Sequence, residues 1–395
     1  MDWQTKLDRR VDELGERLVA VRRHLHAHPE PSGQEVETTR YLASILCDRG
    51  LSAAVPSSGR GIVAEPGLRQ ASHRIALRAD IDALRVVDEK AVAYRSRVAG
   101  VTHACGHDGH AACVLGAVLA LTAAERDLPW PVPWRAIFQP AEESSEGAKE
   151  MIAAGALDNV SAIVALHVDP ERLTGRAAFK PGTLTAYCCE LDVVVRGRGG
   201  HAARPHHSLD PIAAACQFAS AVYQLVPRSI DSRDPAVVTF GSIHGGFTQN
   251  VIPEEVRLRG TARTHSAAAI LRIEERVADI ARGIAEATGT RIEVTFGRGP
   301  DAVVNDPAVT RICESAARAL LGTDALETID SPSMGGEDFA EYLAHVPGCL
   351  FRLGVGRIGQ RDYLHSPRFN LDEAALPIGA KLLARSAVEL ARPKD

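Results

Sequence analysis

Several common classes of protein leave marks that this chain lacks. Its first residues, Met1-Asp2-Trp3-Gln4-Thr5-Lys6, are polar, so no secretory leader is expected. The longest nearly apolar run, Ala111 to Ala124, contains Gly116 and Thr122 and is too short to cross a bilayer. Eight cysteines in 395 residues include no Cys-x-x-Cys pair and make no disulfide framework. Reduced thiols and a cytoplasmic location are the expectation. There is no run of Lys or Arg and no basic stripe interleaved with aromatics. The net charge is −5, so nucleic acid is excluded as an expected partner, and nothing points to a membrane. No G-x-S-x-G, Walker A or H-E-x-x-H motif occurs.

What remains is an ordinary globular composition, 45% hydrophobic and 24% charged, which excludes low-complexity disorder for most of the chain. The length favours two domains or one large one. The pattern predicts a polar amphipathic helix over 5–28, and Ser32 with Glu35 has capping-box spacing before a helix that ends at Gly50. Strands are expected at 62–64, 74–79, 134–139 and 162–166, with helices over 110–124 and 147–156. Strands alternating with helices predict an α/β sandwich with a largely parallel sheet. From residue 186 the order becomes strand (190–195), helix (210–226), strands (236–243 and 255–263), helix (266–288) and strand (291–296). That is the ferredoxin-like α+β order. The expectation is therefore a catalytic domain in two parts, 1–185 and 299–395, around an inserted domain, 186–298. Helices over 307–321, 337–346 and 373–391 and a strand at 349–353 complete the second part.

Polar residues stand at the predicted strand ends. Asp80 ends RIALRAD, Glu142 and Glu143 follow FQPA, and His167 ends AIVALH. In open α/β sheets, sites gather at the carboxyl ends of strands. Any one of these is an ordinary strand-to-loop residue, but three strands delivering carboxylate or imidazole to one rim is a stronger pattern. The densest segment is HACGHDGH, with His103, Cys105, His107, Asp108 and His110. Cys105 and His107 share a face in extended chain. Thiolate with imidazole suits a zinc-type ion and disfavours magnesium or calcium. The glycines at 106 and 109 permit a tight turn. In the pair Glu142-Glu143, one carboxylate can bind a metal while its neighbour acts as a general base on water. His201 follows Gly197, Gly199 and Gly200 at a loop tip, where it could steady an oxyanion. His206 and His207 read as solvated. Arg263 could pair with a substrate carboxylate or make a surface salt bridge. His365 lies between a strand and the last helix. Glu337 and Asp338, after Gly335-Gly336, suit a helix dipole. Gly354 to Gly359 spells G-x-G-x-x-G, but QRDYLHSPRF follows it with no helical period, so a dinucleotide site is rejected.

Ten segments then occur in order: RRHLHAHPEPSGQEVETT, ALRADIDAL, HACGHDGH, FQPAEES, GAKEMIAAGAL, ALHV, GRGGHAARPHHSLDPI, NVIPEEVRLRGTART, GGEDFAEYL and HSPRFNLDE. Together they resemble the metal-dependent amidohydrolases of the aminoacylase/carboxypeptidase G superfamily. The branch is that of hippurate hydrolases, indole-acetyl-amino-acid hydrolases and bacterial N-acyl-amino-acid amidohydrolases. The resemblance spans residues 22 to about 375. It implies a two-metal α/β catalytic domain, mainly parallel and sandwiched by helices, with an inserted ferredoxin-like lid and dimerisation domain. It implies two divalent ions per subunit, zinc or manganese first, with cobalt or nickel also fitting the shell. Position by position it implies Cys105, His107, Glu143, His167 and His365 as ligands and Glu142 as general base. Asp80 would orient a ligating side chain. His201 would be the lid histidine that in the family often reaches the partner subunit's site. Asn250, Arg263 and Gly335 would face substrate. The superfamily's usual H-x-D reads Arg78-Ala79-Asp80 here, as in the Cys-containing branch, so Arg78 is not assumed a ligand.

The implied activity is hydrolysis of the amide bond of an N-acyl amino acid, releasing a carboxylate and a free amino acid, in a homodimer or homotetramer. A dipeptidase or carboxypeptidase using the same site is the alternative. A cysteine hydrolase built on Cys105 and His107 would leave His167 and the carboxylates without a task. A binding protein that has kept the fold would need no base at Glu142.

Overall fold

The computed structural model describes residues 1–67, 73–359 and 362–393. The chain forms two compact units. The first comprises Met1–Leu184, Val303–Ser331 and Glu337–Asp395, and the second Thr185–Ala302 with Pro332–Gly336. No helix among the described residues is long and apolar enough to cross a membrane.

The first unit is built on an eight-stranded mixed sheet. Its order is Ser52–Ala54, Ile62–Glu65, Trp134–Gln139, Arg74–Asp80, Val160–Leu173, Gly348–Gly356, Ala177–Phe179 and Leu326–Thr328. The central neighbours are parallel: Arg74–Asp80 with both Trp134–Gln139 and Val160–Leu173, and Gly348–Gly356 with Val160–Leu173. Every residue of Arg74–Asp80 and of Trp134–Gln139 is buried. That is what a strand covered on both faces requires. One face packs on the helices Trp3–Asp12, Gly15–Ala27, His107–Ala123, Pro307–Leu321 and Ala375–Leu390 through Leu7, Leu18, Leu77, Val118, Phe351 and Leu383. The other holds a smaller core of Ile137, Ile163, Phe339, Tyr342 and Leu350.

The helix His107–Ala123 is apolar all round and buried from His107 to Leu121, as befits the centre of a layer. Gly116 makes its close packing possible: a Cβ there would stand 2.8 Å from Leu18 Cδ1 and 3.0 Å from Ala380 Cβ. Any larger residue at 116 would push apart the helices Gly15–Ala27 and Ala375–Leu390.

The second unit carries a four-stranded antiparallel sheet, ordered Ala236–His244, Glu255–Thr264, Tyr187–Arg196, Arg291–Arg298. Along Tyr187–Arg196 the buried residues alternate as Cys189, Leu191, Val193 and Val195, the signature of one covered face. They meet Phe218 and Val222 of Pro211–Leu225 and Ile273, Val277 and Ile280 of Ala267–Thr288. Asp210 caps the first of these helices by accepting from the Ile212 and Ala213 amides, with Pro211 at the first turn. Ser266 caps the second by accepting from the Ala269 amide.

Several local expectations are corrected. The helix over 5–28 is two, Trp3–Asp12 and Gly15–Ala27, broken just before the poor helix former Gly15. Ser32 and Glu35 form no capping box. Ser32 donates to Asp82 Oδ2 at 2.7 Å, and Glu35 accepts from the Gly33 and Ala141 amides. Glu30 instead accepts from the Glu37 and Thr38 amides at the start of the helix Val36–Cys47. The helix expected over 337–346 is only Phe339–Leu343. Glu337 and Asp338 precede it and both accept from Arg78, while Glu337 also accepts from the Phe339 amide at the helix start, as the helix-dipole reading expects. Gly354 and Gly356 lie within the strand Gly348–Gly356. A Cβ at either would meet the backbone oxygen of Leu173 or Pro170 at 2.2 or 2.4 Å, so these glycines admit a neighbouring segment of the chain. The chain re-enters the first unit at Val303. The short stretch Pro332–Gly336 goes with the second, where Gly335 O accepts from the Ala186 amide and Met334 O from Arg263 Nη1.

Candidate metal centre

The parallel ladder sets the site's level. Arg78 pairs with Ala165, so Asp80 lies abreast of His167, and His167 pairs in turn with Arg352. Cys105 stands just before the helix His107–Ala123, and His107 is its first residue. Between them Gly106 has φ 88°, and a Cβ there would lie 2.4 Å from Val168 Cγ2. Only glycine lets this loop press against the His167 strand. Ala141, immediately before Glu142, and His365 both have positive φ, 52° and 63°. Such backbone is costly for residues with a Cβ and concentrates at functional sites. The His365 amide donates to Ala104 O at 2.8 Å, tying it to the Cys105 loop.

Cys105, His107, Glu143, His167 and His365 converge, as overlapping sets. Cys105, His107 and His167 offer ligand atoms within 4.8 Å of one another, as do Cys105, Glu143 and His365, and His107, Glu142 and Glu143. Cys105 Sγ is 3.5 Å from His167 Nε2. Glu143 Oε1 is 3.8 Å from His107 Nε2 and 3.6 Å from His365 Nε2. Ligands 2.0–2.3 Å from an ion at tetrahedral angles stand roughly 3.3–3.8 Å apart. The two nitrogen–oxygen separations are too long for hydrogen bonds, the sulfur–nitrogen one is within reach of a weak one, and all three suit a shared cation. His107 Nε2 and Glu143 Oε1 are moreover buried with no hydrogen-bond partner among the described residues, which is costly unless something else satisfies them. The residues fit a borderline-soft divalent ion.

The ring orientations support the same use. His107 Nδ1 lies 3.0 Å from Asp82 Oδ1, so that nitrogen carries the proton and Nε2 keeps its lone pair. His167 Nδ1 donates to Val168 O at 2.8 Å, leaving Nε2 toward Cys105. Burial pushes the Cys105 thiol far up, and a cation is what would draw its proton off. Burial opposes charge on His107, but Asp80, Cys105 and Asp82 outweigh it and raise its basicity. For Glu142, burial and the nearby Glu337 and Asp338 carboxylates push the carboxyl well above the ordinary range. Its Oε2 is 3.9 Å from His107 Nε2.

Asp80 stands somewhat apart from its expected partner. Its Oδ1 is 2.6 Å from His110 Nδ1, and its Oδ2 is 3.8 Å from His107 Nε2. His110 Nε2 accepts from the Val168 amide, so Asp80 steadies the backbone beside His167. The carboxylate that bonds His107 is Asp82, which also accepts from the Glu143 amide at 3.0 Å. Sequence reading passed over Asp82, for which the repeated acid in RADID was the available signal, and named His110 within HACGHDGH without giving it a role. Arg78 is no ligand. Its guanidinium is spent on Gln139, Asp80, Glu337 and Asp338.

The remaining expected residues belong to the second unit. His201 is exposed and pairs with Val251, its ring accepting from the Ala203 amide. The Asn250 carbonyl accepts from the Ala202 amide, so His201 and Asn250 lie at one short antiparallel ladder between distant segments. Arg263 and Gly335 are neighbours through Met334 and Ser333. His206 and His207 are exposed.

Residues 76–389 match the family described as peptidase family M20/M25/M40. The N-acetyl-L-cysteine deacetylase of Bacillus subtilis (strain 168) is 36% identical over 381 residues, 96% of this chain and 89% of that protein. An IAA-amino acid hydrolase (ILR1-like 4) of Arabidopsis thaliana is 35% identical over 376 residues, 94% and 84% of the two chains. The crystal structure of a Bacillus subtilis protein, titled a dinuclear metal binding peptidase from the M20 family, superposes with a TM-score of 0.82 at 34% identity. The match covers 96% of this chain and 99% of that one. A match over most of the length, joined to a cage of thiol, imidazole and carboxylate at the rim of a parallel sheet, places this chain in peptidase family M20/M25/M40.

Proposed function

We propose that the protein hydrolyses the amide bond of an N-acyl amino acid, releasing a carboxylate and a free amino acid. Relatives named deacetylases of N-acetyl amino acids and hydrolases of IAA-amino acids support this substrate class. The observation that carries it is the meeting of His107 Nε2 and Glu143 Oε1. They lie 3.8 Å apart, buried and without hydrogen bonds among the described residues, with Glu142 Oε2 3.9 Å from the same nitrogen.

In this reading Cys105, His107, Glu143, His167 and His365 hold two divalent cations, zinc or manganese first. Bound there, the ions supply Lewis-acid chemistry, polarising the carbonyl and acidifying water. Glu142 takes the proton of the attacking water at its carboxylate and passes it to the leaving nitrogen. Asp82 and the Val168 carbonyl hold His107 and His167 in the tautomers that keep Nε2 unprotonated. Asp80 holds His110 against the same backbone. Burial of Cys105, His107 and Glu142 keeps bulk water from the reacting centre.

The second unit, with its strand-helix-strand-strand-helix-strand order, is read as a ferredoxin-like lid and dimerisation domain. His201 is assigned as donor to the developing oxyanion, and Asn250, Arg263 and Gly335 as substrate-side residues. We place the protein in the cytoplasm as a homodimer or homotetramer.

The test is metal-free protein reloaded with manganese or zinc and assayed for free amino acid from N-acetyl, N-benzoyl and indole-acetyl amino acids beside dipeptides. Turnover of N-acyl amino acids is expected. Turnover of dipeptides alone would replace this reading with a peptidase, and no turnover with any metal would remove it.

A further inference from the structure

Of the arginines on the sheet face that carries the site, Arg78 and Arg352 stand near its level, Arg78 paired with Ala165 and Arg352 with His167. Arg78 is fully engaged, donating to Gln139, Asp80, Glu337 and Asp338. Arg352 is not. It pairs in register with His167, and residues paired across a ladder share a face. Its neighbours Phe351 and Leu353 point into the larger core on the opposite side. Among the described residues Arg352 makes no side-chain hydrogen bond and no ion pair, although it is partly buried. Even a partly buried cation with no bonded acceptor gives up hydration that nothing in the protein replaces. A planar fork of donors facing a reaction centre matches a carboxylate.

We propose that Arg352 is a specificity-determining residue that pairs with a carboxylate of the substrate. The proposal rests on the reading of the reaction as N-acyl amino acid hydrolysis, in which every substrate carries an α-carboxylate and some carry a second on the acyl group. The pair forms in the substrate complex and changes little at the transition state. Arg352 therefore sets KM more than kcat.

The experiment compares wild type, R352Q and R352K as full-length, metal-loaded protein. One substrate pair is an N-acetyl amino acid and its C-terminal amide. The other is the N-succinyl and N-propionyl derivatives of one amino acid. In R352Q the KM of the carboxylate-bearing member of at least one pair should rise about 10- to 100-fold, the range of a lost charge-assisted bond. Its kcat should stay within about threefold, the neutral member should be unchanged, and R352K should recover part of the loss. The pair that responds identifies which carboxylate is held. Equal changes in both members of both pairs overturn the proposal. A second readout needs no turnover: succinate and N-acetylglycine should raise the Tm of wild type and not of R352Q. Equal rises in both proteins, or none in either, also overturn it. Absence of any turnover with a retained, Arg352-dependent Tm shift would remove the reaction while leaving the carboxylate site in place.

Discussion

Replacing Asp82 by asparagine separates a carboxylate that orients a metal-binding ring from one that merely packs near it. In the native site Asp82 Oδ1 faces His107 Nδ1 at 3.0 Å, while Oδ2 accepts from Ser32 Oγ at 2.7 Å and from the Glu143 amide at 3.0 Å. The amide side chain has nearly the same shape but one acceptor oxygen and no charge, so it cannot serve all three donors. A hydrogen bond to a charged group is worth roughly 1.5–3 kcal/mol. At about 1.4 kcal/mol per decade this is on the order of 10- to 100-fold in cation affinity, the range typical of a lost carboxylate–histidine contact. The assay is competition for zinc between metal-free protein and a chromophoric chelator, with circular dichroism and Tm as checks on folding. S32A is the control. It removes one neutral bond to the same carboxylate and leaves His107 oriented, so its affinity should stay within about threefold. If D82N folds normally and binds zinc as tightly as S32A, Asp82 does not act through His107 and the tautomer argument fails.

Glu142→Gln should leave zinc content unchanged and lower kcat by roughly 10²–10⁴-fold on whichever N-acyl amino acid is turned over; loss of metal instead would make Glu142 a ligand. Asp108 is buried with its Oδ2 2.8 Å from Arg22 Nε and 2.7 Å from His26 Nδ1, so Asp108→Ala leaves the buried guanidinium with Glu373 at 3.2 Å as its remaining counter-charge and should cost about 1–3 kcal/mol in urea unfolding. For Asp88, burial alone would raise the carboxyl, but bonds from His26, the Ser96 and Lys90 amides and Lys90 Nζ outweigh it and hold the group well below the ordinary range. Its stabilisation is thus full above the unfolded value near ~3.9 and fades as pH falls through the folded one. D88N should be roughly 1–3 kcal/mol less stable than wild type at pH 7, with the gap narrowing below about pH 4; a gap that is constant across that range would refute the assignment. Stripping the metal should lower unfolding stability by about 4 kcal/mol if free ion had stood at about 1,000 times its Kd, read as a Tm drop that added zinc reverses.

The strands and helices that build the core were legible in the sequence because their periodicity is a local property. The run WRAIFQ at 134–139 is a strand with those bounds, and PAVTRICESAARALL is a helix over 307–321. The chemistry of the centre was legible too, since Cys105, His107, Glu142, Glu143 and His167 announce their donor types at turns between such elements. Tertiary packing decided what those donors face. Nothing near Asp82 in the chain says that it, and not Asp80, bonds His107; that follows from the turn after RIALRAD and the seating of the His107 helix. Glu337 and Asp338 read as helix-start acids, and Glu337 does accept from the Phe339 amide, but nothing local shows that both are also held by Arg78, some 260 positions earlier. Nothing local marks Arg352, which only the ladder sets beside His167. Side-chain type and local period are written residue by residue, whereas register, burial and pairing depend on contacts between distant segments that exist only once the sheet has closed over its core.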